Sequence, residues 1–211
     1  MSGSSISRFA GAINDSSTAN GRIGALTKAG TGIVTLNGTC GFTGPVSVEA
    51  GSLIVNGSIS DSANAVTVAT GATLGGCGTI NRPVTISDGG ILSPGDSLLT
   101  GSVGVGTLTV SNLTLSAGCT NLFEIGTATN CDKVVVNGNL VLDGVLSVSA
   151  AEGFAGGTYE IFSYTGTLTD NKLEVRHNLS PPWQAKVQID TVQKKIFLIV
   201  GRTAGTVFII E

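Results

Sequence analysis

Charge is scarce in this sequence: Asp, Glu, Lys and Arg make up 12% of its 211 residues, against the ~25% usual in soluble domains. Aromatic residues reach only 5%, and proline occurs 5 times against 31 glycines. Each shortage excludes something. Abundant glycine without proline is not collagen, whose triple helix needs a strict glycine period and plentiful proline. A net charge of −3 and a pI near 5.1 leave no basic footprint for nucleic acid. No apolar run approaches the ~20 residues of a membrane-spanning helix; the longest, residues 196–200, is strand-sized. The opening Met1-Ser2-Gly3-Ser4-Ser5 has no charged stretch followed by an apolar one. It therefore reads as an artificial start or the edge of a fragment rather than a secretory leader.

What the chain does have is apolar β-forming residues, 41% hydrophobic in all, set in short alternating runs. That argues against disorder. Val46-Ser47-Val48, Val66-Thr67-Val68, Val84-Thr85-Ile86 and Leu108-Thr109-Val110 each place apolar side chains on one face and a small hydroxyl on the other, the period of a half-buried strand. Their starts lie 20, 18 and 24 residues apart. A turn and a second short run follow each triplet: Ser52-Leu53-Ile54-Val55, Thr73-Leu74, Ile91-Leu92 and Asn112-Leu113-Thr114-Leu115. Ile59 and Ile80 begin a third column. Asn-Gly recurs at 37–38, 56–57 and 137–138, where a tight corner calls for residues that tolerate positive φ. Three short strands per ~20 residues predict an all-β solenoid, with like side chains stacked at the ~4.8 Å strand spacing. Low charge follows, because like charges stacked in this way repel.

Residues 9–57 resemble the autotransporter-associated β-strand repeat of bacterial surface proteins. The resemblance is carried by Leu26-Thr27-Lys28-Ala29-Gly30-Thr31-Gly32, then Phe42-Thr43-Gly44-Pro45-Val46 and Glu49-Ala50-Gly51-Ser52-Leu53. Further on, Leu122-Phe123-Glu124-Ile125-Gly126, Cys131-Asp132-Lys133-Val134-Val135-Val136-Asn137-Gly138 and Tyr159-Glu160-Ile161-Phe162 are similar to the C-terminal part of such passenger domains. The resemblance implies a right-handed parallel β-helix, export, and an extracellular or bacterial cell-surface location. It implies no specific activity, because the repeat is mostly scaffold. An autotransporter passenger is normally followed by a membrane β-barrel, for which this sequence offers no candidate.

In an exported chain, four cysteines point to disulfides. Cys119 and Cys131 are the candidate pair. Aligned on the Asn-Gly corners, Cys40 falls in the inward column of Ile59 and Ile80, and Cys77 falls at the corner of Asn56. Those positions lie two layers apart, about 9–10 Å, beyond the ~7 Å a disulfide tolerates. Both are expected to be unpaired.

A glycan-cleaving β-helix needs two facing carboxylates, but Asp61, Asp88 and Asp96 all sit in Gly/Ser/Asn-rich turns, where aspartate is an ordinary turn former. His177 has no nucleophile near it in sequence. Trp183 reads as a cap or loop anchor rather than a sugar platform. The Asn-x-Ser/Thr triplets at Asn14, Asn37, Asn56 and Asn112 read as turn chemistry, and no Cys/His grouping suggests zinc.

The expectation is therefore β-helix layers over residues 1–170 and a β cap with a terminal strand over 171–211. The function expected is that of a structural surface module, a passenger-like stalk or adhesin, non-enzymatic and without a cofactor. Its partners are cell-surface or matrix contacts, or other copies stacking into filaments. Thr206, Val207, Phe208, Ile209 and Ile210 form a candidate self-association strand adding to a neighbour's sheet edge. A carbohydrate-binding or carbohydrate-cleaving β-helix is the alternative.

Overall fold

The computed structural model describes residues 5–15, 23–60, 63–96, 104–180 and 182–202. All regular structure among them is β. One eight-stranded sheet runs Ile6–Phe9, Ile33–Leu36, Ser52–Val55, Thr73–Gly76, Ile91–Pro94, Thr120–Ile125, Val145–Ala150 and Glu174–His177, every neighbouring pair parallel. A second sheet starts Leu26–Lys28, Val46–Val48, Val66–Val68, Thr79–Ile86, Thr107–Leu115, Lys133–Val136 and Gly157–Tyr164, again parallel. Four short strands join it sideways: Thr39–Cys40, Ser58–Ile59, Leu140–Leu142 and Leu168–Asp170. Parallel neighbours cannot be joined by a hairpin. Here the intervening chain supplies strands of the other sheet, so each sheet grows by one strand as the chain alternates between them.

The pairing register sets like on like. Val46 lies beside Val66, Val66 beside Val84, Val84 beside Leu113 and Leu113 beside Leu140. Leu53, Leu74 and Leu92 form a second buried line, and Cys40, Ile59, Ile80 and Val110 a third. Their hydroxyl neighbours Ser47, Thr67, Thr85 and Thr114 line up on the outside. Slipping any strand by one residue would exchange the two sets, so burial of one face fixes the register.

Two expectations need correction. Spacing near 20 residues holds only early on: stacked corners are 21 residues apart at Asn56 and Cys77, but 27 at Asn112 and Asn139 and 28 at Asn139 and Thr167. The later turns carry longer strands, such as the 9-residue Thr107–Leu115 and the 8-residue Gly157–Tyr164. Secondly, Leu108-Thr109-Val110 does not extend the Val84 line. Thr109 and Val110 pair with Thr79 and Ile80, and Leu113-Thr114-Leu115 takes the place beside Val84-Thr85-Ile86. Both triplets alternate identically within one strand, so periodicity alone could not choose between them.

The parallel order ends at Gly157–Tyr164. Lys195–Arg202 pairs with it antiparallel, and Trp183–Asp190 pairs antiparallel with Lys195–Arg202. Glu160 fastens this junction, accepting Lys133 on one oxygen and Lys195 at 2.8 Å on the other.

Candidate functional site

The polar chemistry of the molecule is concentrated at the corners between strands. Asn14 Oδ1 accepts the Gly41 amide, Asn56 Oδ1 the Cys77 amide, Asn112 Oδ1 the Asn139 amide and Asn139 Oδ1 the Thr167 amide, at 2.7–3.1 Å. Each asparagine thus satisfies a backbone donor one layer on, where the chain leaves the ladder. The Asn-Gly corners do not adopt the positive φ expected of them: Asn37, Asn56, Asn137 and their following glycines are absent from the left-handed residues among those described. Glycine is needed there for space. A Cβ on Gly57 would overlap the Gly38 carbonyl, and one on Gly78 would overlap the Gly57 carbonyl. Positive φ belongs to the opposite corner, as at Gly51 (φ 66°) in the Glu-Ala-Gly-Ser-Leu motif. Gly57→Ala meets rigid backbone and is expected to cost about 2–3 kcal/mol, read as a lower urea midpoint; an unchanged midpoint would refute the close stacking.

Lys28, from the motif that carries the family resemblance, is buried. It donates to the carbonyls of Ala29 (3.1 Å), Gly30 (2.7 Å) and Ala50 (2.8 Å), closing two successive turns. Burial lowers its pKa. Arg82 is wholly buried beside the irregularity in strand Thr79–Ile86. Its Nε donates to Ser60 O (2.9 Å), Nη1 to Gly44 O (2.5 Å) and Nη2 to Phe42 O, and the guanidinium lies 4.8 Å from the Phe42 ring centre. Nearby, Asp15 accepts the Gly24 amide and both donors of Thr43, which together with Arg82 hold its carboxyl below the usual range.

A third polar centre is acidic. Asp132 is 1% exposed and accepts the amides of Gly106 (2.8 Å) and Glu124 (2.9 Å). Burial pushes its pKa up to about 7, against those two hydrogen bonds, with Glu124 and Asp96 adding repulsion. Burial also raises Glu124, whose Oε2 is enclosed without a partner. Asp132 braces backbone and is sealed from any substrate, so the grouping has no catalytic geometry. Among the described residues no cluster of three or more His, Cys, Asp or Glu side chains is arranged to hold a metal ion.

The structure does not bring Cys119 and Cys131 together; all four cysteines are free. Cys119 precedes strand Thr120–Ile125, and Cys131 bridges to Ile125 at its far end. That strand separates the thiols by about 20 Å. Cys40 is buried beside Ile59, whereas Cys77 is exposed with its Sγ 3.4 Å from Asn56 Oδ1. Asp88 and Asp96 lie beyond opposite ends of strand Ile91–Pro94, and Asp88 Oδ1 accepts the Gly118 amide. Asp61 and residues 206–210 lie outside the described residues. His177 ends a strand beside Val148. Trp183 opens the strand Trp183–Asp190, edge-on to Phe154 at 5.1 Å. Sequence reading missed that strand, although its Trp-x-Ala-x-Val-x-Ile alternation was visible.

No protein-family model matches the chain. Over 166 residues, 75% of its length, it is 40% identical to the Adhesin BmaC autotransporter of Brucella suis biovar 1 (strain 1330). The chain is autotransporter-related. It spans about 5% of that adhesin's length, so the likeness is to one stretch of a much longer protein. The relationship supports a surface protein with an extracellular or cell-surface location. No helix among the described residues is long and apolar enough to cross a membrane.

Proposed function

We propose that the chain is a stiff segment of a passenger-like surface adhesin, built as a right-handed parallel β-helix over residues 1–170 with a β cap over 171–211. Its task is to hold adhesive surface away from the cell. The likeness to the Brucella adhesin carries this reading. Parallel columns of identical residues and corner asparagines that each satisfy the next layer support the stiffness. The change from parallel to antiparallel pairing after Gly157–Tyr164 supports a cap. Ile6–Phe9 and Leu26–Lys28 have a strand neighbour on one side only, and Ile6, Phe9 and Ile23 are exposed. That end supports contact with a further β layer, from an adjoining segment or from another copy. An autotransporter-related chain of this kind is a scaffold rather than an enzyme.

The test is to display the chain on a non-adherent bacterium and measure attachment to cultured cells and matrix proteins. A glycan array and a reducing-sugar assay run alongside on purified protein. Attachment without sugar release is expected. Release of reducing sugar would overturn the reading in favour of a carbohydrate-cleaving β-helix, and absence of attachment would remove the adhesive role.

A further inference from the structure

The C-terminal end of the structure holds a groove walled by three strands, each paired on one side only. Leu168–Asp170 pairs with Leu140–Leu142 alone, Glu174–His177 with Val145–Ala150 alone, and Trp183–Asp190 with Lys195–Arg202 alone. Between them lies a cavity of about 520 Å³ whose apolar lining comprises Leu142, Leu173, Val175, Ala185, Val187 and Ile189. All of these except Leu142 are only half-buried. Free main-chain edges around an apolar floor are what an added β-strand requires: hydrogen bonds from the edge and burial of alternate side chains.

The sequence places such a strand close by. Lys195–Arg202 ends beside the groove: Arg202 pairs with Trp183, two residues before the lining Ala185, and its guanidinium lies 4.9 Å from the indole centre. Thr203, Ala204 and Gly205 follow, and then the strand-forming residues 206–210. A three-residue link spans up to ~10 Å, more than the ~7 Å between Trp183 and Ala185 along the strand. From Ala185 to Ile189 the floor runs four residues, about 13 Å, the same extended length as residues 206–210. We propose that residues 206–210 of the same chain lie in this groove, running alongside the free edge of Trp183–Asp190 and covering the apolar floor. This assigns the tail to its own molecule and is independent of the adhesive role. A tail from a second copy is the competing occupant.

A fluorescent peptide of residues 203–211 distinguishes the cases. Expected is binding to a chain ending at residue 202 that is at least tenfold tighter than binding to the full chain, whose own tail fills the groove, with the full chain monomeric by sedimentation at all concentrations. Equal binding to both, or to neither, would overturn the proposal. So would a full chain that forms dimers lost on truncation, which would place the tail in a partner. Should the truncated chain lose its β circular dichroism, the full-length Ile209→Asp variant takes its place, with the same tenfold gain expected and the same results counting against it.

Discussion

Replacing Arg82 by Ala is expected to lower the free energy of unfolding by about 3 kcal/mol, because the buried carbonyls of Phe42 and Gly44 lose their donors at once. For a chain of this size that is a fall of about 10 °C in melting temperature. The guanidinium bonds residues 22, 38 and 40 positions earlier in the chain, so it ties several passes of the chain into one unit. Arg82→Lys keeps the charge but not the planar fork, and it is expected to recover only part of the loss. Thermal unfolding of the three proteins measures this. An Arg82→Ala protein as stable as the parent would show that the carbonyls find other donors.

The second large effect depends on pH. Asp132 has its pKa raised from 3.8 to about 7 in the folded chain, so folding favours the protonated carboxyl. The stability it confers is complete below pH 3.8 and is lost as the pH rises through about 7. Three pK units correspond to about 4 kcal/mol, and Glu124, raised in the same direction, adds to the trend. Urea midpoints are therefore expected to fall between pH 4 and pH 8, and Asp132→Asn is expected to flatten most of that slope. A parent protein whose stability rises over this range would show instead that the Gly106 and Glu124 amides hold Asp132 ionised.

Both effects come from residues the sequence did not mark, and the reason is physical. Val46, Val66 and Val84 were legible as a column because burial of one face imposes a period of 2, and stacking rewards the same residue at each level. Cys40 and Cys77 could be placed from the corners for the same reason. Arg82 looked like any surface arginine, since its partners sit 22 or more residues away. Asp132 looked like turn chemistry beside Lys133. Asn-Gly signalled a corner correctly but for the wrong cause: the next layer's carbonyl demands glycine, not a left-handed backbone. Cys119 and Cys131 were near in sequence but are kept apart by an extended strand, which only the fold reveals. Beyond Ile86 the turns lengthen, and an alignment built on shorter ones misassigned Leu108-Thr109-Val110.

The central claim is an in-register parallel stack, and spin labels on its outer hydroxyl column test it most directly. Ser47, Thr67 and Thr85 occupy successive strands. Pairs of labels at 47 and 67, and at 67 and 85, introduced as cysteines with Cys77→Ser, should lie on backbones ~4.8 Å apart and show strong dipolar broadening in both proteins. Two labelled pairs with unbroadened spectra in a folded protein would contradict the stack.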